Sequence, residues 1–251
     1  MSASATVRHS PERLVVAATM GPTAHDVHAW RLKVLPDLIE VRADPARFRP
    51  AHDPRGRDVH RSCGAVLINL RLAAAQLGCA AVVRLLPDPE RPTLLATVRL
   101  AGRHRVTRSE RLLYAATLSP SRMRDRTHGA PVPLPVLNEL AGAARLEGAT
   151  LHRLPGEGAT KAVLTVRGDS PADWLRAGQA LQRVLLSAAV RSVGVSAATP
   201  DGTLGIETLV QPGDVPQVTL DLTRRPPTNT SCPTPPAQST DHRQRQPQRL
   251  V

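Results

Sequence analysis

The chain has 251 residues, 41% of them hydrophobic and only 2% aromatic, so Leu, Val and Ala must fill whatever core it forms. Lys and Arg number 33 against 21 Asp and Glu, a formal net charge of +12 carried by 31 Arg and two Lys. Those arginines are scattered along the chain without the aromatics that stack bases, so composition argues against a nucleic-acid binder.

Ser10-Pro11-Glu12 combines an N-cap residue, an N1 proline and an acidic first turn, which predicts a helix over residues 10–20 stopped by Gly21-Pro22. Trp30, Leu32 and Val34 alternate with polar residues, and Pro36-Asp37 turns the chain into residues 38–41, the pattern of a β-hairpin. A loop rich in Pro, Asp and Arg covers residues 44–56. Val59, Cys63, Val66, Leu67, Leu70, Ala74 and Leu77 then fall on one helical face, with Gly78 as the C-terminal stop. Residues 80–86 and 94–100 read as strands around Pro87-Asp88-Pro89. Thr107-Arg108-Ser109-Glu110 matches a capping box that opens a helix to about residue 117. An irregular Arg-rich stretch over residues 119–135 leads to a helix around Leu137, Leu140, Ala141 and Ala144, closed by Gly148.

Residues 150–154 and 162–166 are short strands joined by Pro155-Gly156-Glu157-Gly158. Ser170-Pro171-Ala172-Asp173 caps a long helix with the buried face Trp174, Ala177, Leu181, Val184, Leu185 and Ala188, expected to end near Gly194. Val218, Leu220 and Leu222 mark a last strand. No internal sequence repeat is visible. Helices and strands mix without strict alternation, which predicts an α+β fold with a mixed or antiparallel sheet packed between helices. The ordered domain is expected over residues 1–225, and the Pro-, Gln- and Arg-rich residues 226–251 are expected to be a disordered tail.

Cys63, Cys79 and Cys232 show no paired spacing, which speaks against a disulfide scaffold and for a reducing compartment. No signal peptide precedes residue 10, and no apolar run has the length of a membrane span, so a cytoplasmic protein away from membranes is expected. His25 and His28 have H-x-x-H spacing and His60 lies three residues before Cys63, but neither pair has the second pair of a zinc motif, and no metal is expected. No G-x-S-x-G or phosphate loop is present.

Two segments carry a family resemblance. The first is Pro22-Thr23-Ala24-His25-Asp26-Val27-His28-Ala29-Trp30-Arg31; the second, residues 53–73, is a small-residue helix. With Leu112-Leu113-Tyr114-Ala115-Ala116, Ser121-Arg122-Met123-Arg124-Asp125-Arg126 and the helix from Asp173 to Leu181, they resemble the flavin-dependent nitroreductase superfamily in its actinobacterial Acg-like branch. The first segment there reads Pro-Ser-x-His-Asn-x-Gln-Pro-Trp, so Thr23, Asp26, His28 and Ala29 are departures. The chain is also shortened near residues 155–161, where members of the branch carry further helices.

The resemblance implies an FMN-binding oxidoreductase that takes electrons from NADH or NADPH and passes them to a nitroaromatic or quinone, a small-molecule acceptor. It places Thr23, His25, Asp26, His28 and Trp30 at the cofactor, with Arg122, Arg124, Arg224 and Arg225 for its phosphate. Asp26 there sets a carboxylate against a phosphate, which a nearby Arg would have to offset. Read without the resemblance, Trp30 is equally a strand core residue and the Arg122–Arg126 stretch a solvated loop. The alternative function is a truncated, non-catalytic relative that sequesters flavin or binds a protein. Loss of the intervening helices is expected to expose the apolar face of the Trp174–Ala188 helix and so to favour a homodimer.

Overall fold

The structure is a computed structural model that describes residues 14–16, 19, 29–47, 53–118, 130–156, 158–200 and 211–224. β1 (Trp30–Val34) and β2 (Leu38–Ala43) form the expected hairpin, with Trp30 opposite Ala43 and Val34 opposite Ile39. α1 (Arg57–Gln76) follows. Its N-cap is Gly56 at φ 72°, a left-handed conformation that a residue without Cβ adopts freely. Gly56 has no side chain to cap the helix, and Asp53 does so instead. Its carboxylate accepts from the backbone N–H groups of Asp58 and Val59 at 2.9 and 3.1 Å. After Leu77, Gly78 at φ 75° turns the chain into β3 (Cys79–Leu85), which pairs with β4 (Leu94–Arg103). α2 (Arg108–Leu118) opens on the predicted capping box: Thr107 Oγ1 accepts the Glu110 N–H at 3.1 Å and the Glu110 carboxylate accepts the Thr107 N–H at 2.7 Å.

The remainder repeats that plan. α3 (Leu134–Arg145) leads to β5 (Ala149–Arg153) and β6 (Thr160–Arg167), then α4 (Pro171–Val190), β7 (Val193–Ala198) and β8 (Asp214–Arg224). The strand orders are β1-β2-β4-β3 and β5-β6-β8-β7, all pairs antiparallel. The strands thus form two antiparallel sheets, and each belongs to a ββαββ unit of the same topology. The short connection between β5 and β6 makes the second unit's opening hairpin, the counterpart of β1–β2.

The fold corrects the end of the second unit's long helix and adds a strand after it. The helix expected to reach Gly194 ends at Val190, and Ser192 at φ 55° breaks it. The residues beyond form β7, an edge strand paired with β8 alone. Gly194, Ser196, Ala197 and Ala198 have little intrinsic strand preference, so cross-strand pairing supplies what the local sequence lacks.

Each sheet packs one face on its long helix. In the first unit Ile39, Val41, Leu67, Leu70, Ala96 and Val98 form the core, and in the second Leu164, Leu181, Val184, Leu220 and Leu222. The two units meet through α1 and α4. A Cβ on Gly64 would overlap the Leu175 carbonyl oxygen, and one on Gly178 would overlap that of Arg61. His60 meets Trp174 and Arg55 meets Asp169 in the same register, each pair 114 positions apart. Position i of one helix thus touches position j of the other and the reverse, as across a two-fold axis. Ile68, Leu72, Leu113, Ala116 and Leu186 add a small apolar cluster joining α1, α2 and α4.

The apolar face of the Trp174–Ala188 helix is buried within the chain, every one of its six predicted core residues lying at 6% exposure or less. Packing on α1 and its own sheet removes the exposed face from which a dimer was to follow. Among the described residues no helix is long and apolar enough to cross a membrane. Of the helix expected over residues 10–20, residues 14–16 and 19 are helical and Leu14 is buried; the rest lies outside the described residues. Residues 119–129 of the Arg-rich stretch and the tail at 226–251 lie outside them too.

Candidate functional site

Of the residues that the resemblance places at a cofactor, Thr23, His25, Asp26, His28, Arg122, Arg124 and Arg225 lie outside the described residues. Trp30 and Arg224 are described, and they belong to different sheets. Trp30 starts β1 and is 6% exposed, inside the first core with Ile39, Val41 and Cys63. Its ring packs as a strand core residue. Arg224 ends β8 with an exposed side chain, and its backbone N–H donates to the Ala130 carbonyl at 3.0 Å. Its guanidinium makes no ion pair with the described residues, so it is a cation available to an anionic group.

A cleft of about 400 Å³ opens where α1 begins and β8 starts, between the two units. Arg55, Arg57, Arg61, Asp53, Asp58, Thr199 and Gln217 supply its polar lining, with Pro54, Pro200 and Pro216 as rigid apolar wall. Arg61 is almost wholly buried; it donates to the Gln217 backbone carbonyl and pairs with Asp58. Arg57 pairs with Asp169 and lies 5.6 Å over the Trp174 ring. The Trp174 Nε1–H donates to the other Asp169 oxygen at 2.7 Å. Arg55 reaches Asp169 at 3.5 Å with its side chain 69% exposed.

His60 sits behind this lining. Its ring meets Trp174 edge-on at 5.4 Å, and Nδ1 donates to the Gly56 carbonyl at 2.6 Å. Burial holds its pKa below the ordinary 6.5, although the Gly56 hydrogen bond and the Asp53 charge pull the other way. Cys63, one turn further along α1, is fully buried and burial pushes its thiol up, which leaves it inert as a nucleophile. On the second sheet Thr165 Oγ1 donates to Asp214 at 3.3 Å and lies 3.2 Å from His152 Nε2, a polar tie across β5, β6 and β8.

Sequence reasoning passes over Arg55, Arg57, Arg61 and Gln217 as site residues. Three arginines around a helix start are a visible signal. Asp169, the acidic partner of Arg55 and Arg57, is more than a hundred positions away, and the environment of Gln217 is set by strand register, which no local pattern discloses.

No family model matches the chain. It is 29% identical over 153 residues to the "Putative NAD(P)H nitroreductase Rv3131" of Mycobacterium tuberculosis, a match covering 60% of this chain and 44% of that protein. It is 33% identical over 104 residues to the "Putative NAD(P)H nitroreductase acg" of the same organism, covering 41% and 31%. The matched segments thus span less than half the length of these relatives. These likenesses support a relationship to the nitroreductase superfamily, and an α+β architecture of two antiparallel sheets with helices is consistent with a nitroreductase-like fold. Within that superfamily the relationship is to the Acg-like proteins.

Proposed function

We propose that the protein is an FMN-dependent oxidoreductase of nitroreductase type, drawing on NADH or NADPH and reducing a nitroaromatic or quinone. The observation that carries this reading is the likeness to the mycobacterial NAD(P)H nitroreductases. Bound flavin supplies a two-electron store between nicotinamide and acceptor. The chain's part is to hold and orient it. Arg224, exposed and unengaged by the described residues, suits a phosphate group, and Arg225, Arg122 and Arg124 join it in this reading. Thr23, His25, Asp26 and His28 orient the polar edge of the ring. Trp30 is a buried core residue with no open face for stacking.

Purified protein is expected to be yellow, to release FMN on denaturation, and to oxidise NADH or NADPH with menadione or a nitrofuran. Colourless protein that takes up no added FMN refutes the reading. Asp26 and His28 stand where the family has Asn and Gln, which favours a second reading, a flavin-sequestering or protein-binding relative without turnover. Bound FMN with no acceptor-dependent oxidation selects it. One chain already contains two paired units, and sedimentation across a concentration series tests whether whole chains pair again as a homodimer in a reducing cytoplasm.

A further inference from the structure

Strand alternation sends every second residue of the first sheet away from α1, and many of those residues are cations. Ile39, Val41, Ala96 and Val98 face the core, so Arg31 and Lys33 of β1, Arg42 of β2, Arg84 of β3, and Arg99 and Arg103 of β4 share the outer face. Arginines scattered along the sequence are thus gathered by strand pairing. The acids at this face are already shared. Buried Glu40 accepts from Arg42 and Arg91, and Asp44 pairs with Arg31 and Arg47. Lys33, Arg84, Arg99 and Arg103 are exposed and make no ion pair with the described residues.

Register sets the geometry. Lys33, Glu40, Thr97 and Arg84 form one row across the four strands, and Leu38, Arg99 and Val82 belong to the next. Arg84 and Arg99 are therefore diagonal neighbours on adjacent strands, roughly 7–8 Å apart, with Thr97 next to each. The second sheet has a neutral version of this arrangement. At the matching register positions Ala198 faces Thr219, and Asp221 stands between Lys161 and Ser196. There the cation meets a carboxylate, whereas Arg99 lies between Leu38 and the half-exposed Val82. A face that holds unshared cations together is complementary to a polyanion.

We propose that the outer face of the first sheet docks the phosphate backbone of a nucleic-acid duplex, without reading its sequence. Lys33 and Arg84 lie on opposite edge strands, three strand spacings or about 14 Å apart. A major groove is about 12 Å wide, so the two edges reach phosphates on either side of it. The arginine fork pairs with phosphate oxygens two at a time. Among the described residues the face has no aromatic side chain on which single-stranded bases could stack. Its apolar area, Val82 with half-buried Leu38, is too small to enter a bilayer. The formal net charge of +12 steers such a partner from a distance.

Fluorescence anisotropy of a labelled duplex of about 20 base pairs, titrated with the full chain over a salt series, tests the proposal. Binding is expected to weaken steeply as salt rises. The double variant Arg84→Gln, Arg99→Gln should reduce the slope of log K against log salt by about two, one for each phosphate contact. Its binding at low salt should be about ten-fold weaker. The double variant Lys161→Gln, Arg167→Gln removes the same charge from the second sheet and should leave the slope as it is. All four side chains are exposed, so circular dichroism of both variants is expected to match the parent protein. Absence of duplex binding, an equal loss of slope in the two variants, or tighter binding to phosphatidylserine vesicles than to the duplex overturns the proposal.

Discussion

Gly64 and Gly178 are the residues on which the pairing of the two units turns, since each lies where a Cβ would strike the backbone of the opposite helix. A backbone carbonyl cannot swing aside as a side chain can, so the helices would have to separate. Gly64→Ala is expected to cost about 3 kcal/mol in urea denaturation, at the upper end of ordinary overpacking. Gly142→Ala on α3 is the control. A Cβ there meets only the Arg145 guanidinium tip at 3.9 Å, so better helix propensity should stabilise the protein by about 0.5–1 kcal/mol. His60 gives a prediction in pH. Burial lowers its folded pKa below 6.5, so as pH falls the unfolded chain binds a proton before the folded one does. Its contribution to stability is complete above pH 6.5 and is lost as pH drops through the lowered folded value. His60→Phe, which keeps an aromatic edge toward Trp174, should flatten the pH dependence of the urea midpoint between about pH 7 and 5. An unchanged slope would show that other groups set it.

Among the elements, those written in local chemistry were legible from sequence and those made by pairing were not. α1 announces itself through seven apolar residues on one face, and α2 and α4 through their capping boxes. Such signals act within one or two turns and survive into the fold. β7 has no comparable signal, because Val193 and Val195 are its only large apolar residues. The duplicated topology was hidden for a related reason. A ββαββ unit needs the right periodicities and small residues at the crossing, not the same sequence. The candidate site divides in the same way: Arg224 is visible as a basic strand end, whereas the bulge at Gln217 exists only once β6 and β8 are in register. The α4 cap can be tested directly. Burial raises the Asp173 carboxyl, but hydrogen bonds from Ser170 and the Arg176 guanidinium outweigh it and hold the pKa below 3.8. Asp173 therefore contributes stability above that pH and loses it as pH falls through the folded value. Asp173→Ala should cost about 1 kcal/mol at pH 7, with the gap to the parent protein closing in acid below pH 3.8.

At the scale of the molecule the question is whether the two units unfold separately or together. Three layers tie them: the glycine crossing, the buried Gln182 Nε2–H to Asn69 Oδ1 bond at 3.0 Å, and Glu147, which is 5% exposed by its side chain. Glu147 accepts from Arg71 of α1 at 2.7 Å and from Arg183 of α4 at 2.6 Å, so one carboxylate clamps both central helices. Glu147→Gln should cost about 2 kcal/mol, below the figure for a fully buried pair because Arg71 is about one-third exposed. That cost should fall on both units equally, since neither helix keeps its partner when the crossing loosens. The chain's two tryptophans report on the two units, Trp30 on the first sheet and Trp174 on α4. Fluorescence of Trp30→Phe and Trp174→Phe variants is expected to give urea transitions with a common midpoint and slope for each variant when compared with its own circular dichroism. A transition seen by one tryptophan that precedes the loss of helix signal would show that the units fold as independent domains, with α1 and α4 docking afterwards.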